Sequence, residues 1–141
     1  MKIFVDTNVL LDGYQERKPQ YDASVSVWDM AERGQLSGFV SAISFNNIYY
    51  IISRFRDKKH AGRAIKLLRG TFSPVSLDEQ ILNQAIDSKM NDFEDAIQFF
   101  SAVHVSADFI ITRNSKDFPK SSIPVLTPEE FLAIFKTITE I

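Results

Sequence analysis

The N-terminal segment Met1 to Asp12 constrains the fold of this chain more than any other stretch. The run Ile3-Phe4-Val5 is short, wholly apolar and bounded by a charged residue on each side. Such a run is typical of a strand buried on both faces, as in a parallel sheet. It ends at Asp6-Thr7-Asn8, small polar residues that break strands and cap helices. Because open α/β sheets bind ligands at the carboxyl ends of their strands, Asp6 is a candidate site residue. The alternative is that Asp6 only caps the turn that follows.

Length and composition indicate an ordinary globular protein. A chain of 141 residues, 45% of them hydrophobic and 24% charged, predicts one well-buried domain over residues 1–141. The net charge of −2 gives no overall attraction to nucleic acid, so RNA or DNA would need a local basic patch. The absence of cysteine excludes disulfides, thiolate metal sites and cysteine nucleophiles, and it fits a reducing cytoplasm. No apolar run approaches the roughly 20 residues of a membrane span, and no signal peptide is recognisable, so we expect a cytoplasmic protein without a membrane partner.

Further apolar segments alternate with helical patterns along the chain. Strands are predicted at residues 38–40, 109–111 and 123–126, with a brief extended segment at 74–77. Between them the spacing of apolar residues predicts helices that begin near residues 21, 44, 58, 78, 92 and 127, and a polar loop with Pro19 precedes the first of these. Strands separated by helices predict an α/β fold with a parallel sheet and right-handed crossovers.

Two of these helices carry more detailed predictions. Ser44 is the predicted N-cap of the second helix, which places Asn47 in its first turn. The i, i+3, i+4, i+7 spacing predicts one buried face on that helix, formed by Ile48, Ile51, Ile52 and Phe55. The helix that Asp78 caps repeats apolar residues in the same way, at Ile81, Leu82, Ala85 and Ile86.

Polar side chains at strand ends and helix starts are predicted to meet at one edge of the sheet. Asp6 and Asn114 follow the two most apolar strands, and Asn47 follows the second strand in the chain. Asp92 and Asp95 are three residues apart in the first turn of a helix, so they can face the same way. In a parallel sheet all five positions lie at the carboxyl edge. Asp92 has a second explanation, because Asp is a common N-cap residue.

Converging carboxylates predict a divalent cation. Such groups repel each other, and a hard ion with oxygen ligands, Mg²⁺ or Mn²⁺, relieves the repulsion. An ion of this kind can activate water and stabilise charge on a phosphoryl group. Other chemistries lack their residues: there is no Gly-rich phosphate loop, and His60 and His104 lie in separate helices without a zinc-ligand spacing.

Four segments together resemble the PIN-domain family, and more particularly its small bacterial VapC-type toxin ribonucleases. They are FVDTNVLLD (4–12), SAISFNNIYYI (41–51), DFEDAIQFFSA (92–102) and ITRNSKDF (111–118). The resemblance implies a three-layer α/β fold, with a central parallel sheet of four to five short strands flanked by helices. It also implies a Mg²⁺ or Mn²⁺ site, hydrolysis of RNA, a cognate antitoxin protein and a homodimer.

Carried over by position, Asp6 and Asp95 match the first and third acids of the family. Asn47 stands where many members have Glu, and Asn114 where many have Asp. Asp117 is either a nearby substitute or a turn-forming loop residue. The resemblance therefore implies catalytic residues Asp6, Asp95, Asn47 and Asn114. Convergence on one sheet edge predicts Asp6 and Asp95 as metal ligands, with Asp92 or Asp117 as helpers.

The two asparagines leave two hypotheses open. An amide oxygen can still bind a cation or position a water, but losing two negative charges weakens the attraction of the ion. One hypothesis is a divalent-metal-dependent endoribonuclease that acts as the toxin of a toxin–antitoxin pair. The other is an RNA-binding or regulatory protein of PIN fold whose acidic site is degenerate.

The segment Arg54 to Arg69 is the candidate RNA-binding surface. The segment contains seven lysines and arginines and a single acid, Asp57, although the chain as a whole is acidic. Lys59, Arg63 and Lys66 fall on one predicted helical face, and Arg113 adds a candidate bidentate phosphate contact beside the site. The alternative is that this segment is a solvated helix face.

Overall fold

The computed structural model describes residues 1–15 and 21–139, which form a parallel sheet and the helices that cover it. The strands are β1 (Lys2–Val5), β2 (Ser37–Ser41), β3 (Ser73–Val75), β4 (Phe109–Ile111) and β5 (Val125–Leu126). The helices are α1 (Thr7–Tyr14), α2 (Tyr21–Glu32), α3 (Ala42–Phe55), α4 (Lys58–Thr71), α5 (Glu79–Asp87), α6 (Phe93–His104) and α7 (Pro128–Thr139). All strand pairs are parallel, in the order β3-β2-β1-β4-β5, which confirms the predicted α/β fold. The loop predicted around Pro19 lies outside the described residues.

Strand β1 lies at the centre of the sheet and contributes to a core on each face. Ile3 and Val5 pack into one core with residues of α1, α2, α3, α4 and α7. Phe4 packs into the other core, with residues of α5 and α6. In β4, Ile111 and Ile110 are divided in the same way. Successive strand residues point to opposite faces, so a wholly apolar run is buried only where both faces are covered. The predicted three-layer arrangement is confirmed.

The order of the sheet reverses between β1 and β4. Strands β2 and β3 lie on one side of β1, and β4 and β5 lie on the other. The Asp6 N–H donates to the Ile111 carbonyl over 2.9 Å, so pairing with β4 continues one residue past β1. Ligands of open α/β sheets bind at the carboxyl ends of strands where the order reverses. The fold therefore places Asp6 at the expected binding position.

Helix α3 differs from the prediction in its start and in its buried face. Its N-cap is Ser41, whose hydroxyl oxygen accepts from the Ile43 N–H over 3.3 Å, so the prediction of Ser44 as the cap is wrong. The helix begins early because Ser41 is the last residue of β2. Asn47 consequently lies in the second turn rather than the first. Phe55, predicted to be buried, is 74% exposed at the last residue of the helix.

The other predicted helix starts are confirmed. Asp78 accepts from the Ile81 N–H over 2.8 Å at the start of α5. Thr127 and Glu130 exchange two hydrogen bonds, of 2.9 and 3.1 Å, in the predicted capping box of α7. The buried face of α5 is narrower than predicted, because Ile81 and Ala85 are buried whereas Ile86 is 59% exposed. Within the described residues, each helix is too short or too polar to cross a membrane.

Candidate active site

Asp6 lies at the start of α1, at the carboxyl end of the central strand. Its side chain is 6% exposed, and both carboxylate oxygens accept hydrogen bonds. Gln98 Nε2 donates to Oδ1 over 3.0 Å, and Thr112 Oγ1 donates to Oδ2 over 2.8 Å. Although Asp6 occupies the N-cap position of α1, its side chain makes no capping hydrogen bond. The capping explanation for Asp6 is therefore wrong, and the carboxylate is directed to partners on α6 and beside β4.

The environment of Asp6 is unfavourable for a negative charge. Burial raises the pKa of the Asp6 carboxyl above its ordinary value, while the hydrogen bonds from Thr112 and Gln98 act in the opposite direction. The neighbouring backbone N–H groups of Asn8 and Thr7 also lower the pKa, without forming a capping bond. A cation at this carboxylate would offset the cost of burial.

Gln98 joins Asp6 to the first residues of α1. Its side chain is buried, its Nε2 holds Asp6, and its Oε1 accepts from the Thr7 N–H over 3.1 Å. The Thr7 hydroxyl lies 2.7 Å from the hydroxyl of Ser44, the buried serine in the first turn of α3. Three helices and the residue after β4 thus fix the orientation of the Asp6 carboxylate. None of these supporting residues was predicted from the sequence: Gln98, Thr7, Ser44 and Thr112.

Asp95 is surrounded by other carboxylates. Burial and the negative charges of Asp92, Asp6, Asp117 and Glu94 raise the pKa of Asp95 to about 7. Asp6 follows β1, and Asp117 lies in the 3₁₀ turn after β4. Asp92, Glu94 and Asp95 lie at the start of α6, so the fold brings all five carboxylates to the same edge of the sheet. The convergence of Asp6, Asp92 and Asp95 was predicted, and Asp117 joins them there. Their role as metal ligands stays a prediction.

Glu94 is a residue of this cluster that was not predicted from the sequence. Burial raises the pKa of its carboxyl, as do the charges of Asp6 and Asp92, whereas hydrogen bonds from the side chains of Asn47 and Thr7 lower it. The predicted residue Asn47 thus lies beside the cluster, close enough to lower the pKa of Glu94. A carboxylate therefore lies beside the amide that stands where the resemblance implies a Glu.

Asp92 and Asn114 have local structural roles. Asp92 Oδ1 accepts from the Asp95 N–H over 2.9 Å, so its explanation as the N-cap of α6 is confirmed. Asn114 Oδ1 accepts from the Lys116 N–H over 3.3 Å and begins the 3₁₀ turn Ser115–Asp117. The Asn114 amide also donates to Asp117 Oδ1 over 3.3 Å, which holds the Asp117 carboxylate.

The predicted RNA-binding residues lie in two places. Arg113 follows Thr112, and its Nε lies 3.1 Å from Oδ2 of Asp12, a fully buried acid of α1. Its charge is thus partly engaged by Asp12. Lys59, Arg63 and Lys66 are exposed on α4, while Ala61, Ala64 and Leu68 form its buried face. Phosphate binding by all four basic residues stays a prediction.

The side chains at this edge fit a hard divalent cation that keeps part of its water shell. Within residues 1–15 and 21–139, no three His, Cys, Asp or Glu side chains form a ready-made metal cage. Asp6 and Asp95 offer carboxylate oxygens, and Asn47 offers an amide oxygen. Mg²⁺ is commonly bound by one or two carboxylates, water and substrate phosphates, so a full cage is not required. Mutual repulsion of the carboxylates favours an ion here.

Comparison with known proteins identifies the family of this chain. Residues 2–116 match the family model described as the PIN domain. The chain belongs to the PIN-domain family. Ribonuclease VapC1 of Aquifex aeolicus (strain VF5) is 29% identical to this PIN domain over 142 residues, a match that covers 97% of both proteins.

Two solved structures show the same PIN-domain fold. VapC20 of Mycobacterium tuberculosis, a toxin that cleaves the sarcin–ricin loop, aligns with a TM-score of 0.62 at 15% identity over 77% of this chain and 86% of its own. A toxin–antitoxin complex from Klebsiella pneumoniae contains a chain with a TM-score of 0.65 at 21% identity, over 89% of this chain and 97% of its own. The PIN fold predicted from the four sequence segments is therefore confirmed.

Proposed function

We propose that residues 1–141 act as a single PIN domain with divalent-metal-dependent endoribonuclease activity, the toxin of a toxin–antitoxin pair. The observation that carries the proposal is the cluster of carboxylates around Asp95 at the carboxyl edge of the sheet. RNA as the substrate class is supported by the relative VapC1, named a ribonuclease, and by VapC20, which cleaves the sarcin–ricin loop. An antitoxin partner is supported by the similar chain in the Klebsiella toxin–antitoxin complex. We also infer a homodimer, on the family resemblance.

The residues divide into ligands and groups that hold the ligands in place. Asp6 and Asp95 would hold Mg²⁺ or Mn²⁺, and the nearest helpers are Asp92 and Asp117. When bound there, such an ion would supply an activated water and would neutralise negative charge on the phosphate.

The chain itself contributes preorganisation and proton exchange. Gln98 and Thr112 fix both oxygens of Asp6, as the outer partners of metal ligands commonly do. Asp95 with a pKa of about 7 can release its proton near neutral pH when a cation arrives. Asn47 and Asn114 act through Glu94 and Asp117, whose carboxylates they contact.

The second candidate function is RNA binding or regulation without catalysis. Two observations favour it: asparagine occupies two of the positions where many PIN domains have acids, and the described residues contain no three-ligand cage. In that case the acidic edge would bind a cation weakly and leave the phosphodiester bond intact.

A cleavage assay on the purified protein distinguishes the two. We expect RNA to be cut in Mn²⁺ or Mg²⁺, with loss of cleavage in EDTA and in Asp6→Asn. The matched control is Asp87→Asn, which neutralises an exposed acid at the end of α5 and should keep full activity. Cleavage that persists in Asp6→Asn would come from a contaminating nuclease. Intact RNA that is nevertheless bound by the wild-type protein would support the non-catalytic function.

Mn²⁺ binding gives a second readout that does not depend on cleavage. Titration by calorimetry or paramagnetic relaxation should show weaker binding in Asp6→Asn and in Asp95→Asn than in the wild type and Asp87→Asn. Equal binding in all four proteins would show that the ion binds elsewhere.

A further inference from the structure

A cleft of about 500 Å³ lies beside the carboxylate cluster at the carboxyl edge of the sheet, on the side that α5 and α6 cover. Its walls come from the segment between α5 and α6, from α6 itself, and from the 3₁₀ turn Ser115–Asp117 with the two residues after it. Asp117 belongs to both the cleft and the carboxylate cluster, because it lines the cleft and acts electrostatically on Asp95. The cleft therefore adjoins the residues proposed to act on the phosphate.

The interior of the cleft is apolar and aromatic. Phe99 and Phe118 are buried in its floor, while Phe100 and Met90 are half-buried. The Phe100 ring packs edge-to-face on Phe99, with centroids 5.1 Å apart and planes at 76°, which holds its orientation. Aromatic side chains of this kind are the surfaces on which unpaired bases stack. The volume also lies in the range of small-ligand sites, about 300–1,000 Å³.

The rim of the cleft carries positive charge. Lys89 and Lys116 line it and are exposed, and the single acid among its described lining residues is Asp117, on the catalytic side. The net charge of the chain is −2, so two lysines beside an aromatic cleft form a local positive surface. Such a surface favours a ligand that carries phosphate over an uncharged peptide. Asn91 adds an amide, which can both donate to and accept from the edge of a base.

We propose that this cleft binds one unpaired nucleoside of the RNA substrate next to the scissile phosphate, with its base on Phe100 and its flanking phosphates at Lys89 and Lys116. The proposal rests on the ribonuclease function above and extends it to a single-stranded substrate segment. A base inside a duplex is stacked on both faces and cannot enter such a cleft without leaving the helix. The subsite therefore selects loops and single strands.

The test asks whether Phe100 contacts the base at one particular position of the RNA. The Asp6→Asn protein, which is expected to bind RNA without cleaving it, is titrated by fluorescence anisotropy with a series of short single-stranded RNAs in which a single abasic nucleotide occupies each position in turn. The same series is repeated with Phe100→Leu, which keeps apolar volume but removes the ring. We expect the abasic nucleotide at one position, and Phe100→Leu, each to weaken binding about tenfold. Together they should weaken it no further, because both remove the same stacking contact.

Lysine variants provide an independent measurement. Lys89→Gln and Lys116→Gln should each lower the affinity and its dependence on salt. Lys120→Gln is the matched control, because Lys120 is exposed four residues after Lys116 and lies outside this cleft. If Phe100→Leu fails to fold in a thermal melt, these lysine variants combined with the abasic series decide the question.

The outcomes separate the subsite from the proposed function. If the losses of RNA affinity caused by Phe100→Leu and by the abasic nucleotide are additive at every RNA position, the subsite is overturned. Normal cleavage by the wild type would then leave the ribonuclease function standing. A wild-type protein that neither binds nor cleaves RNA would overturn both. A co-purified protein that covers the cleft, without coupling to any base, would also overturn the subsite and would identify a protein-docking surface instead.

Discussion

Gln98 is a buried, neutral side chain that contacts the Asp6 carboxylate, and both ends of its amide are used. The NH₂ group donates to Asp6, and the carbonyl oxygen accepts from the Thr7 N–H. An ionised carboxylate cannot donate, and an apolar side chain can do neither. The residue type at this position therefore determines whether the buried Asp6 carboxylate has a fixed orientation.

Replacing Gln98 should cost stability and metal affinity together. Gln98→Leu leaves one donor and one acceptor of the buried site without their partner, which should lower the free energy of unfolding by about 1–3 kcal/mol. Urea denaturation measures this loss, and Mn²⁺ titration should show weaker binding. The control is Gln84→Leu on the exposed side of α5, expected to change stability by less than about 0.5 kcal/mol. Equal losses in the two variants would contradict a role for the Gln98 bridge.

Asp95 should make the stability of the metal-free protein depend on pH. Its pKa rises from an ordinary 3.8 to about 7 in the folded protein, so the folded state binds the proton more tightly than the unfolded chain. That contribution is fully present below about pH 4 and is lost as the pH rises through about 7. In EDTA we therefore expect the free energy of unfolding to fall between about pH 4 and pH 7 and to level off above pH 7.

Variants assign this fall to Asp95. Asp95→Asn should make the fall of stability with pH shallower in thermal or urea unfolding, with the remainder coming from the raised pKa values of Asp6 and Glu94, and Asp87→Asn should leave the profile as in the wild type. Saturating Mn²⁺ should raise stability most at the upper end of this pH range, where the carboxylate is ionised. A profile unchanged by Asp95→Asn would show that another group is responsible.

At the scale of secondary-structure elements, local sequence signals predicted most of the fold. The apolar runs of β1 and β4, and the caps Asp78, Asp92 and Thr127, are decided by neighbours in the sequence. The start of α3 was not predictable in this way, because Ser41 and Ser44 are both good caps one turn apart. The choice depends on how far β2 extends against β3, where Ser41 pairs with Val75.

The difference between features decided by neighbours in the sequence and features decided by tertiary packing also explains which site residues were missed. Glu94 suits the first turn of any helix, and Gln98 is an ordinary helix former, so each has a sufficient local explanation. A signal existed for Gln98, since it interrupts an otherwise apolar stretch between Ile97 and Phe99. Only packing against α1 shows that its amide reaches Asp6.

The N-caps of α5 and α6 form a matched pair for testing Asp92. Asp78 and Asp92 each accept a hydrogen bond from the N–H three residues later, over 2.8 and 2.9 Å. Asp78→Ala and Asp92→Ala should therefore each lower stability by about 1 kcal/mol. Only Asp92→Ala should also change Mn²⁺ affinity, because the Asp92 charge acts on Asp95. Equal Mn²⁺ affinity in the two variants would mean that Asp92 is a cap and nothing more.

The second-turn position of Asn47 changes what Asn47→Glu should do. A Glu in the second turn gains little from the helix dipole, whose effect is confined to the first turn, and it adds a negative charge beside Glu94. We expect a lower melting temperature without metal and a larger rise with Mn²⁺ than in the wild type. Asn46→Glu, the exposed neighbour, is the control. If both variants respond to Mn²⁺ alike, the Asn47 side chain is not part of the site.

At the scale of the whole molecule, charge is unevenly distributed. Carboxylates gather at the carboxyl edge of the sheet, whereas α4 presents Lys59, Arg63 and Lys66 to solvent. A chain with a net charge of −2 can bind RNA only if such a basic surface acts locally. The cation and the phosphate backbone would then be bound by separate parts of the fold.

Reversing the charge of the α4 face tests this separation. Lys59→Glu, Arg63→Glu and Lys66→Glu together should weaken RNA binding and lower the salt slope by about 0.7 for each phosphate that is no longer neutralised. Mn²⁺ affinity should stay as in the wild type, since the three residues are not among the candidate ligands. The control is Lys120→Glu, and the changes in RNA affinity of the two variants are compared per unit of charge changed. Unchanged RNA affinity in the triple variant would show that α4 is only a solvated face.

The hydrogen bond from Thr112 to Asp6 has a consequence for the order in which the candidate site is assembled. It joins residues 106 positions apart, and β4, beside which it forms, is made after β1, β2 and β3. A growing chain carries Asp6 from the start but cannot hold it in place until β4 has emerged and paired with β1, a contact of long sequence separation that forms slowly. Ribosomes consist largely of RNA. If the chain cleaves RNA as proposed, the carboxyl edge of the sheet would stay incomplete until β4 has been made and has paired with β1, and the nascent chain would not yet cleave the RNA of the ribosome.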